Sequence, residues 1–286
     1  MANTASTKRS DQINLEIQAF SSVNTLNVRT DSVAVEEPLE IRLGFIENGK
    51  RRHKAISITM RTPGNDFELA AGFLFTEGIL QSKDQIISMK HCGKFPNNQN
   101  TVRVELSDNT AIDFGTLQRN FYTTSSCGVC GKSSLESLAT GATAIEQADF
   151  PKVKASIINE LNGKVRNSQA VFDATGGLHA ATLFDISGEL IDIKEDVGRH
   201  NAVDKLIGSQ FLNGKLPLED KILFLSGRAS FELLQKAVMA KVPIVCAVGA
   251  PSSLAVEAAK EFGVTLLGFV RDGRFNVYCG EERLNL

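Results

Sequence analysis

Two cysteines spaced three positions apart are the residues of this chain best suited to covalent chemistry. Cys127 and Cys130 stand in the segment 125–132, which reads SSCGVCGK. Its glycines, Gly128 and Gly131, allow backbone conformations that other residues avoid. The lysine at 132 and a helix predicted to begin at Ser133 both favour a thiolate over a thiol. The segment therefore predicts a movable, electropositive arm that carries a nucleophilic sulfur.

A C-x-x-C pair also occurs in zinc sites and in redox dithiols. A closed zinc site needs two more Cys or His ligands, and this sequence has neither a second C-x-x-C nor an H-x-x-x-H. Cys92 with His91, or His179 with His200, could complete a zinc site only by converging in space. A thioredoxin-like pair would follow the first strand of a βαβ unit, whereas this pair follows a β-rich region. A sulfur relay is preferred, zinc stays open as an alternative, and no metal ligand is assigned.

Composition limits the classes of function. The chain has 286 residues and a net charge of -2, so nothing global favours a nucleic-acid or anionic-membrane partner. No apolar run approaches the ~18 residues that a membrane helix needs. The polar segment 1–12 has no apolar core of a signal peptide, and we expect a disordered tail there. Five cysteines are an odd number, unsuited to a disulfide framework, so we expect a cytoplasmic protein.

The first part of the chain, from about residue 15 to 114, is rich in strand patterns. Asn48-Gly49 between the runs 39–46 and 55–60 predicts a hairpin. A helix is predicted after Asn65, which can cap it with Glu68 three residues later, and Gly78 ends it. The runs 101–106 and 111–114 predict a second hairpin.

The part after the cysteines has a different pattern. A helix is predicted over 155–161 with a stop at Asn162-Gly163, and a further helix is predicted to stop at Asn213-Gly214. Amphipathic helices then alternate with continuous apolar strands, which indicates a parallel or mixed sheet covered on both faces. The predicted strands are 170–174, 179–184, 189–193, 222–225, 243–248, 264–270 and 275–279, and the later helices are 231–240 and 254–262.

Three loops of this part end strands and precede helices. They are 196–201, 226–230 and 249–253, and each is rich in Gly, Ser or Arg. Ligands on open α/β sheets gather at the carboxyl ends of strands, where helix N-termini and arginines attract anions. Arg228 at a helix start is hard to explain by packing, so an anion role is favoured. Phosphate or pyrophosphate is the expected ligand.

Other candidates keep an ordinary alternative. His179 and His200 follow loops that should line the same face, but each could also satisfy a local backbone carbonyl. Gly176 and Gly177 suit close approach of a ligand to the backbone, and equally suit a plain turn. The arginines at 271 and 274 flank a tight turn and could simply be solvated.

With these motifs in place, the chain resembles the FdhD family of sulfur-carrier proteins needed for formate dehydrogenase activity. The resemblance runs from about Arg61 to Leu284. The matching segments are RTPG at 61–64, ELAAGFL at 68–74, SSCGVCG at 125–131, TGGLHAA at 175–181, EDVGRHNAVDK at 195–205, SGRAS at 226–230 and GFVR at 268–271.

The resemblance implies a sulfurtransferase. A cysteine desulfurase would load sulfur onto Cys127 as a persulfide, and the acceptor would be a bound molybdenum (or tungsten) bis(guanine dinucleotide) pterin, destined for formate dehydrogenase. No permanently bound cofactor is expected. Cys130 is a relay partner or a resolving thiol. The cofactor-binding segment of the family falls on Phe269, Val270, Arg271, Asp272, Gly273 and Arg274. Gly176, Gly177, His179, Arg199, His200 and Arg228 are added as candidate cofactor contacts.

The resemblance also implies a fold. It is a three-layer α/β/α cytidine-deaminase-like domain with a mixed sheet, a smaller β-rich N-terminal subdomain, and usually a homodimer. The expected divisions are a tail at 1–14, the β-rich subdomain at 15–124, the mobile loop at 125–132 and the α/β domain at 133–286. Deaminase activity is not expected, because the zinc motifs H-x-E and P-C-x-x-C are missing. The alternative function is a chaperone that binds the cofactor without transferring sulfur.

Overall fold

The computed structural model describes residues 11–20, 26–93, 98–108, 110, 143–145, 152–168 and 175–285. The cysteine pair lies outside the described residues, as do the strands predicted at 111–114 and 170–174. Within the described part no helix is both long enough and apolar enough to cross a membrane.

The chain begins with a two-stranded antiparallel ribbon. Strand β1 spans Gln12–Phe20 and β2 spans Leu26–Ala34, in a regular register that pairs Gln12 with Ala34. β1 therefore overlaps the last three residues of the tail predicted at 1–14. The ribbon forms its own sheet in the described residues.

The second sheet has four strands in the order β4-β3-β6-β5. These strands are β3 (Glu37–Glu47), β4 (Lys50–Arg61), β5 (Ile86–His91) and β6 (Thr101–Leu106). The hairpin predicted at Asn48-Gly49 is confirmed, since both residues have the positive φ of a tight hairpin turn, 52° and 71°. A one-turn 3-10 helix precedes β5 at Lys83–Gln85, and another precedes β6 at Asn98–Asn100.

Helix α1 (Asp66–Thr76) packs its apolar residues on this sheet, with Leu69, Ala70 and Leu74 in one core with Leu39 and Val102. The helix was predicted, but its predicted cap is wrong. Asn65 has a left-handed φ of 54° and its side chain caps no backbone N–H. Its amide donates instead to the Glu68 carboxylate at 3.3 Å.

A short strand and a helix follow. β7 (Val153–Lys154) leads into α2 (Ala155–Arg166). The stop predicted at Asn162-Gly163 is wrong, because the helix runs one more turn and places Val165, 1% exposed, in the core. Burial of that side chain outweighs the helix-breaking tendency of glycine.

The largest sheet has six strands in the order β13-β12-β11-β10-β8-β9. β10, β11 and β12 are parallel, and the other pairs are antiparallel, so the predicted mixed sheet is confirmed. This part of the chain consists, in sequence order, of β8 (His179–Asp185), β9 (Leu190–Asp196), α3 (Arg199–Leu212), β10 (Lys221–Leu225), α4 (Phe231–Met239), β11 (Ile244–Ala247), α5 (Ser253–Glu261), β12 (Thr265–Arg271) and β13 (Arg274–Cys279). A 3-10 turn (Glu281–Arg283) then leads to β14 (Leu284–Asn285), which pairs with β7.

Helices lie against both faces of the six-stranded sheet. α3, α4 and α5 share one core with the sheet residues Leu223 and Val245. On the other face, Ile158 and Leu161 of α2 pack with Phe224. The chain is therefore a mixed α/β protein with several sheets and five α-helices in the described residues. The cytidine-deaminase-like assignment and the predicted domain boundaries stay predictions.

The two larger sheets are joined by the contact between α1 and α3. A Cβ atom on Gly72 would lie 1.9 Å from the Asp204 carbonyl oxygen, and one on Gly208 would lie 1.9 Å from the Glu68 carbonyl oxygen. The helices thus touch backbone to backbone, which only glycine permits at these positions. This contact sets how the four-stranded sheet is placed beside α3.

Candidate functional site

Three loops meet at one edge of the six-stranded sheet. Because β10, β11 and β12 are parallel, their carboxyl ends lie at the same edge. The Gly249 N–H donates to the Gly227 carbonyl at 2.9 Å, and the Phe269 N–H donates to the Gly249 carbonyl at 3.2 Å. The loops at 226–230 and 249–253 and the segment that starts at Phe269 are therefore bonded in series, as the alternation of strands and helices predicted.

His179 belongs to the same edge. β8 runs antiparallel to β10, with Ala181 opposite Leu225, so the start of β8 lies beside the end of β10. A Cβ atom on Gly227 would lie 3.3 Å from His179 Nδ1. The glycine leaves room for the imidazole against the loop, and His179 is opposite Asp196 in the β8–β9 ladder.

His200, in the first turn of α3, is held by α4. Its Nε2 lies 2.8 Å from Glu232 Oε2 and 3.4 Å from Ser230 Oγ. The hydrogen bond from His200 is the main cause that lowers the pKa of the Glu232 carboxyl. The alternative that His200 satisfies a local carbonyl is not what the structure records. The imidazole instead links the starts of α3 and α4.

The positive charge of Arg199 acts on the pKa of His179. Burial lowers the pKa of His179, and the charges of Arg199 and His200 lower it further, while Asp196 acts in the opposite direction. His179 is therefore mostly neutral near pH 7, since an ordinary histidine has a pKa of 6.5. Arg199 Nε is buried and has no hydrogen-bond partner among the described residues.

The helix starts beside Arg199 leave backbone donors available. The N-cap residues of α3 and α4, Gly198 and Ser230, make no side-chain cap bond. α5 differs, because Ser252 Oγ accepts a hydrogen bond from Ala255 N–H at 3.2 Å. Uncapped N–H groups at a helix start, next to an arginine whose Nε has no partner among the described residues, form an arrangement that can bind an anionic oxygen. We name this group, made of His179, Arg199, His200 and the starts of α3 and α4, the basic cluster.

Arg228 lies at the neighbouring loop. Its side chain is exposed, and its Cγ would lie 3.0 Å from a Cβ atom placed on Gly249. The arginine therefore passes over the backbone of the next loop, with its head group in solvent. It borders the same edge as the basic cluster.

The segment 269–274 connects β12 to β13. Phe269 and Asp272 have positive φ values of 55°, which is costly for residues with a side chain. The side chain of Val270 is fully buried in the core with α2, so only its backbone could contact a ligand. Arg271 and Arg274 are exposed, and Arg271 Nε lies 3.9 Å from Asp272 Oδ2.

Gly176 and Gly177 lie in the turn that precedes β8. Gly176 has a φ of 65°, and the Gly177 N–H donates to Thr175 Oγ1 at 3.4 Å. A Cβ atom on Gly177 would lie 3.9 Å from Ala34 Cβ, at the end of the ribbon. Both glycines are exposed, and the structure gives them the role of a turn. A ligand contact at these glycines stays a prediction.

The conspicuous run at 195–205 serves the fold more than the site. Asp196, 0% exposed, accepts hydrogen bonds from the N–H of Thr62 and of Gly198 and from the amide of Asn201. It also pairs with Lys205 Nζ at 2.7 Å. These bonds tie β9 and α3 to the end of β4 and so fix Arg199 and His200 in place.

Further along the same helix, Asp204 accepts hydrogen bonds from Thr76 Oγ1 at 2.8 Å and from Lys236 Nζ at 2.9 Å. Sequence reasoning missed this network. Its signal in the sequence was one charged residue among the apolar positions of each of two helices, Asp204 in α3 and Lys236 in α4.

Sequence reasoning also missed Glu232. An acidic residue in the first turn of a helix is commonly explained by its favourable interaction with the helix dipole, so its position in the sequence indicates no further partner. The structure adds the bond to His200, which no pattern in the sequence indicates. Only the fold brings residue 232 to residue 200.

Two of the three cysteines in the described part, Cys246 and Cys279, are weak candidates for nucleophilic chemistry. Burial raises the pKa of Cys246 far above its ordinary value, and burial also raises the pKa of Cys279. Cys279 Sγ donates to the Val264 carbonyl at 3.3 Å. Among the described residues no group of three or more Cys, His, Asp or Glu is placed to hold a metal ion. The predicted nucleophiles Cys127 and Cys130 lie outside the described residues.

Comparison with known proteins gives consistent similarities. Residues 34–285 match the model of the FdhD/NarQ family. The chain is 50% identical over 266 residues to the sulfur carrier protein FdhD of Streptomyces avermitilis, covering 91% of this chain and 92% of that protein. It is 46% identical over 255 residues to the FdhD protein of Picrophilus torridus, covering 89% and 92%. A crystal structure of a formate dehydrogenase accessory protein from Desulfotalea psychrophila superposes with a TM-score of 0.72 at 25% identity, covering 96% of this chain and 100% of that chain.

Proposed function

Because the chain belongs to the FdhD/NarQ family, we propose that it is a sulfur carrier that serves the maturation of a formate dehydrogenase. It accepts sulfane sulfur from a cysteine desulfurase and delivers it to the metal of a bis(guanine dinucleotide) pterin. The metal cofactor is the substrate of this reaction and not a resident group.

The basic cluster is the observation that carries the proposal on the acceptor side. A guanine dinucleotide pterin carries pyrophosphates, and a pyrophosphate needs several donors and positive charge at one place. The unpaired Nε of Arg199 and the uncapped starts of α3 and α4 supply both. The exposed side chain of Arg228 adds positive charge at the same edge.

The chemistry proposed for the cysteines balances without an external oxidant. The Cys127 thiolate attacks the terminal sulfur of the desulfurase persulfide. One S–S bond forms, the old S–S bond breaks, and the desulfurase cysteine leaves as a thiolate. The Cys130 thiolate then attacks Cys127 Sγ, which closes a disulfide and releases hydrosulfide to the metal. A dithiol reductant is required to reduce the disulfide for the next turnover.

The proposal also covers the fold class, the cellular compartment and the oligomeric state. We assign the six-stranded sheet and its helices to the cytidine-deaminase-like class, without deaminase activity. We place the protein in the cytoplasm, where cysteine thiols stay reduced, and we propose that it is a homodimer.

The test is a loading experiment. The full chain is incubated with a cysteine desulfurase and cysteine, and intact mass is measured. Wild type should gain 32 Da units of sulfur, as expected for the atomic mass of about 32 per persulfide sulfur. The Cys127→Ala variant should gain no sulfur mass. The control variant is Cys92→Ala, which removes a partly buried thiol outside the C-x-x-C pair and should gain the same mass as wild type. Equal loading of wild type and Cys127→Ala would contradict the proposal.

A cofactor-binding chaperone without sulfur transfer is the second candidate, and the basic cluster favours it equally, since that cluster only binds. Complementation separates the two functions. A strain that lacks the native gene is supplied with Cys127→Ser. Full formate dehydrogenase activity would establish the chaperone, while loss of activity with retained nucleotide binding supports the sulfur carrier.

A further inference from the structure

The ribbon of β1 and β2 is unusual among the sheets of this chain. Two nine-residue strands pair with each other and with no third strand in the described residues. A ribbon of this kind extends about 31 Å and is only marginally stable in water without further packing. Its exposed apolar side chains are large, and Phe20 and Val28 are 78% and 62% exposed.

The outer edges of the ribbon are also unprotected. Proteins commonly block an exposed edge with lysine, proline or a bulge. Neither β1 nor β2 contains lysine or proline, and their register has no irregularity. The outer strands of the two larger sheets, β4, β5, β9 and β13, all carry a register irregularity. The ribbon is therefore built to accept another strand.

The charges of β2 identify the strand that fits. Arg29 and Asp31 lie two positions apart, opposite Ile17 and Leu15, and so on one face of the ribbon. Neither makes an ion pair with another described residue, and Asp31 Oδ1 accepts a hydrogen bond from the Ser32 N–H at 3.2 Å. If a second β2 pairs antiparallel about a twofold axis at Thr30, Arg29 faces Asp31 of the other copy, and the pair repeats by symmetry.

The same register suits the apolar residues. Val28, with its large exposed area, lies opposite the small Ser32 of the other copy. β1 offers no comparable pairing of charges. Its one charged residue is Glu16, at the middle of the strand, and a twofold axis there would place two glutamates face to face.

We propose that β2 is the dimerisation strand of this protein, and that two ribbons join through β2 into one four-stranded antiparallel sheet with the axis at Thr30. The proposal assigns a surface and a register, which go beyond the homodimer stated above, and it does not depend on sulfur chemistry. The base of the ribbon lies at Gly177, next to the turn that leads to His179. The dimer would therefore place a second chain beside the entrance to β8.

Charge reversal tests the register. The association of the full chain is measured by sedimentation for wild type, Arg29→Asp, Asp31→Arg and the double swap. Each single change replaces two attractive pairs by two repulsive ones, so the dimer dissociation constant should rise by about tenfold or more. The double swap restores opposite charges and should return the constant to within about threefold of wild type. A monomeric wild type, or single variants that dimerise normally, would overturn the proposal.

A cross-linking experiment covers the case in which the charge variants fold poorly. Thr30→Cys should form an intermolecular disulfide under mild oxidation, because residues on the axis have Cα atoms about 4.5–5.5 Å apart. Glu16→Cys is the matched control. It lies directly opposite Thr30 in the ribbon, but its copies would be three strand spacings, about 14 Å, apart. Equal cross-linking of the two variants above the wild-type background would refute the β2 interface.

Discussion

Lys205 Nζ lies 2.7 Å from the Asp196 carboxylate, and the two side chains are only 2% and 0% exposed. The pair joins the end of β9 to the second turn of α3, and Lys205 also donates to the Thr62 carbonyl at 2.8 Å. Arg199 and His200 of the basic cluster stand between Asp196 and Lys205 in the chain. The ion pair therefore fixes the start of α3, and with it the positions of these two side chains.

The first prediction concerns this pair. Asp196→Asn keeps the shape but leaves the Lys205 ammonium buried without a counter-charge. The free energy of unfolding should fall by about 3–5 kcal/mol, as measured by urea denaturation. Asp220→Asn, which breaks an exposed pair with Lys221, is the control and should change stability by less than about 0.5 kcal/mol. A small effect at Asp196 would mean that water reaches the pair.

The second prediction uses two glycines in helices. Gly208→Ala places a methyl group 1.9 Å from the Glu68 carbonyl, so α1 and α3 must separate and stability should fall by more than about 2 kcal/mol. Gly163→Ala in α2 meets nothing within 4 Å and should instead stabilise by about 0.5–1 kcal/mol. Thermal unfolding of both variants measures the difference. A similar gain in stability for the two variants would show that helix propensity, and not the contact between helices, decides the effect at Gly208.

The third prediction is a pH dependence from Asp66. Burial would raise the pKa of this carboxyl, but the hydrogen bonds from His91 and from the buried Arg61 outweigh burial and lower it below 3.8. A carboxyl with a lowered pKa contributes stability above its unfolded pKa, and this contribution is lost as the pH falls through the folded value. The difference in unfolding free energy between wild type and Asp66→Asn should therefore narrow as the pH falls below about 4, the ordinary pKa of an aspartic acid. Urea curves at several pH values test this, and a difference that widens in acid would contradict the assignment.

The fourth prediction concerns His179. Its lowered pKa arises from burial first and from Arg199 second, so Arg199→Gln should move the pKa up toward the ordinary 6.5. The Cε1–H signal of His179, assigned with the His179→Gln variant, is titrated by NMR. Arg271→Gln, which removes an exposed arginine of another loop, is the control and should leave the midpoint unchanged. A midpoint that does not respond to Arg199→Gln would place the guanidinium farther from the imidazole than the structure does.

Periodicity and turn residues predicted most elements of the α/β part, because apolar strands and amphipathic helices alternate there with little ambiguity. The hairpin at Asn48-Gly49 was equally accessible, since few residues accept its backbone angles. Helix ends were less predictable. Gly163 has the composition of a stop, but the core contact of Val165 lies beyond it and extends α2. Such a contact is tertiary and leaves no local pattern.

The candidate site was predictable only as a set of residue types. Arg199, His200 and His179 were selected because they stand in loops at strand ends, and the structure brings these three together. Their partners were not predictable, because Glu232 reaches His200 from another helix. The run at 195–205 looked like a binding motif, while Asp196, Asn201 and Lys205 turn inward and hold the two sheets together.

The last prediction follows from the different settings of two arginines and rests on the proposed acceptor. Arg199 Nε is buried, whereas the Arg228 side chain is exposed. A charge-assisted hydrogen bond to a phosphate is worth about 1.5–3 kcal/mol, so Arg199→Gln should weaken binding of guanosine diphosphate by roughly 10- to 100-fold in calorimetry. Arg228→Gln should cost less, and its effect should disappear at high salt because solvent screens an exposed charge. Arg51→Gln, in the four-stranded sheet, is the control. If Arg228 proved the stronger and less salt-sensitive contact, the phosphate would lie over the loops and not at the starts of α3 and α4.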